Sequence, residues 1–193
     1  MKRTAPLLIL SIAFAAGCTA ANEPEEEDVA STGQEVAGGT CEPAVANGAV
    51  TAKHRALLDT IAYTEGTRGR GKNGYNVTFA YRYFNSCARH PNMRVCAGGY
   101  CSTAAGRYQF LTRTWNGLGL PTFTPDNQDR GAMKLVARRG VNAPTGRAMT
   151  ATEFTNAMNK LSYEWASLPP GRYGQPVYSM TATRREYCRL AGC

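Results

Sequence analysis

The chain has 193 residues, 43% of them hydrophobic, with 22 Lys and Arg against 14 Asp and Glu. That length fits one globular domain with extensions and excludes two full-sized domains. Only two histidines are present, His54 and His90, and no cysteine pair is spaced Cys-x2-Cys, so a zinc site is not expected.

In chain order, Lys2 and Arg3 precede an apolar run from Leu7 to Ala16, followed by Gly17 and Cys18. This predicts a secretory signal over residues 1–18, too short to span a membrane as a stable helix. Ala15-Ala16-Gly17-Cys18 resembles a bacterial lipobox with alanine in place of the usual leucine, which makes Cys18 the expected lipidation site. Residues 19–40 read as an acidic flexible linker: Glu23-Pro24-Glu25-Glu26-Glu27-Asp28 leads into small and polar residues, with too few apolar groups to fold.

These two segments hold two basic and six acidic residues. The domain from 41 to 193 therefore keeps 20 basic and eight acidic residues, a balance of +12. A basic exported domain points to a polyanionic partner such as cell-wall polymer or nucleic acid. No nucleic-acid module, aromatic–basic run or nuclease-like metal cluster is found, so nucleic acid is not expected. With Cys18 assigned to lipid, six cysteines remain: Cys41, Cys87, Cys96, Cys101, Cys188 and Cys193. An even number in an exported chain predicts three disulfides, whose pairing spacing alone does not decide.

Lys53 to Glu65 reads as a helix, with Leu57, Leu58, Ile61 and Ala62 on one face and Gly66 as a stop. From Tyr75 to Tyr83, aromatic and β-branched residues alternate with polar ones, which predicts a strand or extended arm. Arg107 to Leu118 reads as a helix grouping Phe110, Leu111 and Trp115. Pro125 to Arg139 follows, with Thr124 as cap and Gly140 as stop. Ala151 to Leu168 opens on the capping box Thr150-x-x-Glu153, carries Phe154, Met158, Leu161 and Trp165 on one face, and stops before Pro169-Pro170. Val177 to Leu190 reads as a last helix. No internal repeat is found. The expected class is α+β, mainly helical, with a small β element.

The domain has eight carboxylates. Glu153 is the capping-box partner, Asp126 and Asp129 suit the first turn of a helix through its dipole, and Asp59, Glu164 and Glu186 read as solvated helix residues. Glu65 differs, because it lies at a helix end between an apolar face and a glycine-rich turn. A carboxyl partly removed from water has a raised pKa and can serve as a general acid near neutral pH; a structural salt bridge is the alternative role.

Several segments carry a resemblance in the same order: Ile61-Ala62-Tyr63-Thr64-Glu65-Gly66-Thr67, Asn73-Gly74-Tyr75-Asn76-Val77, His90-Pro91, and Ser102 through Gln109. Phe123-Thr124-Pro125 with Gln128-Asp129, Trp165 through Pro169, and Gly171 through Gln175 complete the series. Together they span about residues 53 to 178 and resemble the endolysin family of the phage lambda type, lysozyme-like lytic transglycosylases. The resemblance implies a lysozyme-like fold with a substrate cleft over residues 41–193. It implies catalysis by Glu65, with Arg107, Tyr108, Gln109, Tyr173 and Gln175 binding substrate; core packing is the alternative for Tyr108 and Tyr173. Two departures stand out: Asn76 replaces an aspartate of the family, and the stretch from Cys87 to Cys101 is rebuilt.

The expected substrate is the glycan strand of peptidoglycan. Ordinary glycosidases need two carboxylates, yet after Glu65 no Asp or Glu occurs until Asp126. A lytic transglycosylase avoids the second carboxylate by closing a 1,6-anhydro ring on the muramic acid. The alternatives are a hydrolytic muramidase and a non-catalytic wall-binding lipoprotein. No metal or cofactor is expected, and the protein is expected to be a monomer in the periplasm or cell envelope, lipid-anchored through Cys18 or else secreted.

Overall fold

Thr51 opens the first helix: its hydroxyl accepts the His54 N–H at 3.3 Å, and α1 runs over Ala52–Thr64. In this computed structural model residues 39–43 and 50–193 are described. The expected signal, the Cys18 lipidation site and nearly all of the linker lie outside the described residues. Among those residues, no helix is long and apolar enough to cross a membrane.

Helix α1 is the axis of the core. Leu57, Leu58, Ile61 and Ala62 are fully buried, as their spacing predicts. Burying each large apolar side chain contributes about 1.5–3 kcal/mol. The helix packs against α3 (Pro125–Arg138) and α5 (Met180–Ala191). Helix α3 begins at Pro125 as expected, although the Thr124 hydroxyl makes no capping bond. Helix α5 is capped by Ser179, whose side chain accepts the Ala182 N–H at 3.1 Å.

Helix α4 (Ala151–Leu161) has both halves of its capping box: Thr150 accepts from the Glu153 N–H at 3.2 Å, and Glu153 accepts from the Thr150 N–H at 2.8 Å. It ends at Leu161 instead of Leu168. The Ser162 hydroxyl turns back onto the Asn159 carbonyl, and the Trp165 indole donates to the Tyr108 carbonyl at 3.0 Å. Trp165 is thus buried from a turn rather than from a helix.

Two further expectations are corrected. The helix foreseen from Arg107 is only α2, Thr112–Asn116. Residues 105–110 form a tight loop instead, in which Ala105 and Phe110 exchange backbone bonds of 2.8 and 3.0 Å and Gln109 takes φ +48°. The stretch from Tyr75 to Tyr83 is not a strand but turns, with a 3-10 turn at Phe79–Tyr81 and two isolated bridges, Val77 with Tyr83 and Thr78 with Ala105. The sheet lies elsewhere, as an antiparallel hairpin of β1 (Val95–Ala97) and β2 (Tyr100–Ser102). Gly98 and Gly99 at its tip both have positive φ, the requirement of a two-residue hairpin turn.

The six domain cysteines pair as Cys41–Cys87, Cys96–Cys101 and Cys188–Cys193. The second joins directly opposed residues of the hairpin. The first ties the start of the domain to the loop after Tyr83, reinforced by the Cys87 N–H bond to the Gly39 carbonyl at 2.7 Å.

Candidate active site

Glu65 is the residue that closes α1, with its N–H on the Ile61 carbonyl at 2.9 Å. Gly66 follows at φ +70°, a conformation that disfavours other residues, and a Cβ there would lie 2.6 Å from the Tyr81 hydroxyl. Glu65 is half-buried. Burial pushes its carboxyl from an ordinary 4.5 up to about 7, against the pull of a hydrogen bond from Ser167. A group titrating there is available both to give and to take a proton at neutral pH.

Ser167 Oγ donates to Glu65 Oε1 at 2.6 Å and lies 3.1 Å from Thr64 Oγ1. Among the described residues, nothing hydrogen-bonds Oε2. Neither Ser167 nor Thr64 stands out in the sequence as a site residue. The only signal was their position inside the matched segments 61–67 and 165–169.

Aromatic and cationic groups pair with one another on the residues that neighbour Glu65 in the chain. Tyr63 stacks on Tyr178 at 4.8 Å, with the Arg68 guanidinium 5.3 Å from the Tyr63 ring. On the following turn, Arg70 donates to the Gly66 carbonyl at 2.8 Å and stacks on Tyr81 at 3.9 Å. Tyr81 and Tyr178 remain largely exposed.

The residues expected to bind substrate fall into three groups. Arg107 and Tyr108 are 2% and 0% exposed. Arg107 pairs with Asp59 at 2.8 Å and bonds the Asn73 carbonyl. The Tyr108 hydroxyl donates to Asp129 at 2.5 Å. Their side chains are enclosed, so core support replaces the expected sugar contact. Their backbone still belongs to the site: the Thr67 hydroxyl, two residues past Glu65, donates to the Arg107 carbonyl at 2.5 Å. Gln109 is half-buried and spends its amide N–H groups on the Val77 and Gly106 carbonyls at 3.1 and 3.0 Å. Gly106 makes this loop possible, since a Cβ there would collide with the Gln128 side chain. Tyr173 and Gln175 are exposed; the Tyr173 hydroxyl donates to the Tyr163 carbonyl at 3.3 Å. No hydrogen bond joins any of the five to Glu65 among the described residues.

The other carboxylates are engaged. Asp129 is fully buried, where it accepts from Arg55 at 2.5 Å, Tyr75 at 2.9 Å and Tyr108. Burial and the Asp129 charge push the Tyr75 phenol up to about 12 and Tyr108 well above the usual phenol range, so both stay donors. Asp59, Glu164 and Glu186, read as solvated, are instead partly buried and paired, with Arg107, with Arg138 and Arg139, and with Arg68 and Arg189. Each sits where a distant arginine reaches it, which helical spacing does not reveal. Asn76 is buried and ties a loop: its Oδ1 accepts the Lys72 N–H and its Nδ2 donates to the Phe84 carbonyl at 3.2 Å. An aspartate has no proton for the second bond when ionised.

Among the described residues, no three His, Cys, Asp or Glu side chains gather as a metal site. A cavity of about 210 Å³ lined by Val141, Met149, Asn156 and Lys160, among others, touches none of the groups around Glu65.

A family model described as Endolysin matches residues 55–193. The endolysin of Escherichia phage lambda is 36% identical over 132 residues, covering 64% of this chain and 81% of that protein. The endolysin of Escherichia phage P2 is 34% identical over 147 residues, covering 65% and 84%. Among solved structures, bacteriophage lambda lysozyme complexed with a chitohexasaccharide superposes with a TM-score of 0.66 at 30% identity, covering 73% of this chain and 95% of that one. A second structure, lysozyme from bacteriophage lambda, gives 0.63 at 29% identity.

Proposed function

The chain belongs to the endolysin family, and from that premise we propose that this cell-wall-cleaving enzyme is a lytic transglycosylase with Glu65 as its acid and base. The bond cut is the β-1,4 link between N-acetylmuramic acid and N-acetylglucosamine. The observation that carries the reading is a carboxyl pushed up to about 7 by burial, to which, among the described residues, Ser167 donates and no carboxylate is hydrogen-bonded.

Glu65 protonates the glycosidic oxygen, and the bond from C1 of the muramoyl ring to that oxygen breaks. The C6 hydroxyl of the same ring attacks C1 and closes a 1,6-anhydro ring. Its proton passes to the Glu65 carboxylate, which is restored as the acid. One C–O bond breaks, one forms, and no water is consumed. Exposed Tyr173 and Gln175 are proposed to contact the sugars, and the basic surface to hold the anionic wall. Glycan binding by the lambda lysozyme structure supports the substrate class. Residues 1–18 support export with a lipid on Cys18; a mature N-terminus other than Cys18 would overturn that assignment.

Mass analysis of digested peptidoglycan tests the reaction. Products ending in 1,6-anhydromuramic acid, one water lighter than hydrolytic ends, are expected. Reducing muramic acid ends would make the enzyme a muramidase. Tight binding of several peptidoglycan types without cleavage would make it a wall-binding protein.

A further inference from the structure

We propose that Ser167 is a positioning residue that assigns the two oxygens of Glu65, engaging Oε1 and leaving Oε2 to carry the acid's proton, with Thr64 as the alternative acceptor of the serine proton. The inference rests on the reading of Glu65 as the acid and deepens it.

A serine hydroxyl has one proton to donate. Two acceptors compete for this one: Glu65 Oε1 at 2.6 Å and Thr64 Oγ1 at 3.1 Å. The Thr64 hydroxyl spends its own proton on the Ile61 carbonyl at 3.0 Å, so it faces Ser167 only as an acceptor. The shorter contact lies in the range of a hydrogen bond to a charged oxygen, the longer one in that of a weak neutral bond. Ser167 lies in the turn between the buried residues Trp165 and Leu168, and the Trp165 indole anchors that turn on the Tyr108 carbonyl.

An acid that must protonate one defined atom is helped when its proton cannot reside on either oxygen at random. A donor fixed on Oε1 makes Oε1 the carbonyl oxygen of the neutral acid, and the acidic proton then lies on Oε2, which no protein group engages among the described residues. When that proton leaves for the glycosidic oxygen, negative charge appears on the carboxylate and the Ser167 bond strengthens. When Oε2 takes up the C6 proton, the bond relaxes, and Thr64 can share the serine proton. No proton leaves Ser167 at any stage.

The arrangement makes two substitutions act in opposite directions. Ser167→Ala removes a donor that favours the carboxylate, so Glu65 should titrate higher, by on the order of one pH unit. Thr64→Val removes an acceptor used mainly in the neutral state, so Glu65 should titrate slightly lower. The experiment is an NMR titration of the Glu65 carboxyl carbon in the folded wild type and both variants, beside the pH profile of peptidoglycan cleavage. Ser167→Ala should also lower kcat on the order of tenfold with KM nearly unchanged. A titration that does not move in folded Ser167→Ala, or that moves the same way in both variants, overturns the proposal. If Ser167→Ala fails to fold, the downward shift in Thr64→Val decides alone. Because the NMR signal reports Glu65 without reference to cleavage, a Glu65→Gln protein that stays active would refute the assigned reaction and leave the hydrogen-bond result separately readable.

Discussion

The Tyr108 hydroxyl donates to Asp129 Oδ1 at 2.5 Å, in a part of the core where neither side chain meets solvent. Arg55 and Tyr75 donate to the same carboxylate. Asp129→Asn keeps the shape but leaves Arg55 without its counter-charge. Because Arg55 retains some exposure, the expected cost is about 2–3 kcal/mol rather than the full penalty of a buried unpaired ion. Urea unfolding measures it, and a loss below about 1 kcal/mol would show that the network is not structural.

Glu65 links activity and stability through one titration. Its folded pKa of about 7 lies above the ordinary 4.5. The folded state therefore holds its proton more tightly than the unfolded chain, and stability present below pH 4.5 is lost as pH rises through about 7. The whole loss is about 3 kcal/mol. Glu65→Gln, which stays neutral, should match wild type near pH 4 and exceed it above pH 7, while losing activity by roughly 10²–10⁴-fold or more. Parallel stability curves for the two proteins across this range would contradict a buried, raised carboxyl. For the same reason wild-type activity should fall as pH rises past about 7.

The three disulfides should differ in weight. Cys41–Cys87 closes 46 residues, while Cys96–Cys101 and Cys188–Cys193 each close five. Constraint of the unfolded chain predicts about 4 kcal/mol for the first and about 2 kcal/mol for each of the others. Cysteine-to-serine pairs, compared by thermal unfolding, should rank in that order. An equal or reversed ranking would show that native packing outweighs loop closure.

Residues 66–125 contain eight basic residues and no carboxylate. Arg82, Arg89, Arg94 and Arg113 are exposed within this stretch. The Thr112 hydroxyl donates to Asn92 at 2.9 Å, which brings the segments bearing Arg89, Arg94 and Arg113 side by side. Replacing all four arginines by Gln should weaken sedimentation with whole sacculi on the order of tenfold and flatten its salt dependence. Cleavage of a short soluble glycan should be unaffected. Unchanged binding and salt dependence would assign wall capture to other residues.

Local features are legible in the amino-acid sequence. The spacing of Leu57, Leu58, Ile61 and Ala62 specifies a buried helix, and Gly66 ends it, so Glu65 lands at its C-terminus. The capping box at Thr150 and Glu153 and the start of α3 at Pro125 are equally local. The hairpin at Gly98-Gly99 carries a turn signal in its sequence, but the alternating aromatics of 75–83 make the stronger, and misleading, strand pattern. Those side chains alternate to serve turns, with Tyr75 reaching Asp129 and Tyr81 covering Gly66. What brings Ser167 onto Glu65 across 102 positions, sinks Asp129 and Tyr108 into the core, and pairs Cys41 with Cys87 was decided only by tertiary structure. Periodicity states which face of an element turns inward. Which distant polar group waits there depends on how the elements pack, and that packing sets the charge, burial and proton position on which the proposed chemistry of Glu65 depends.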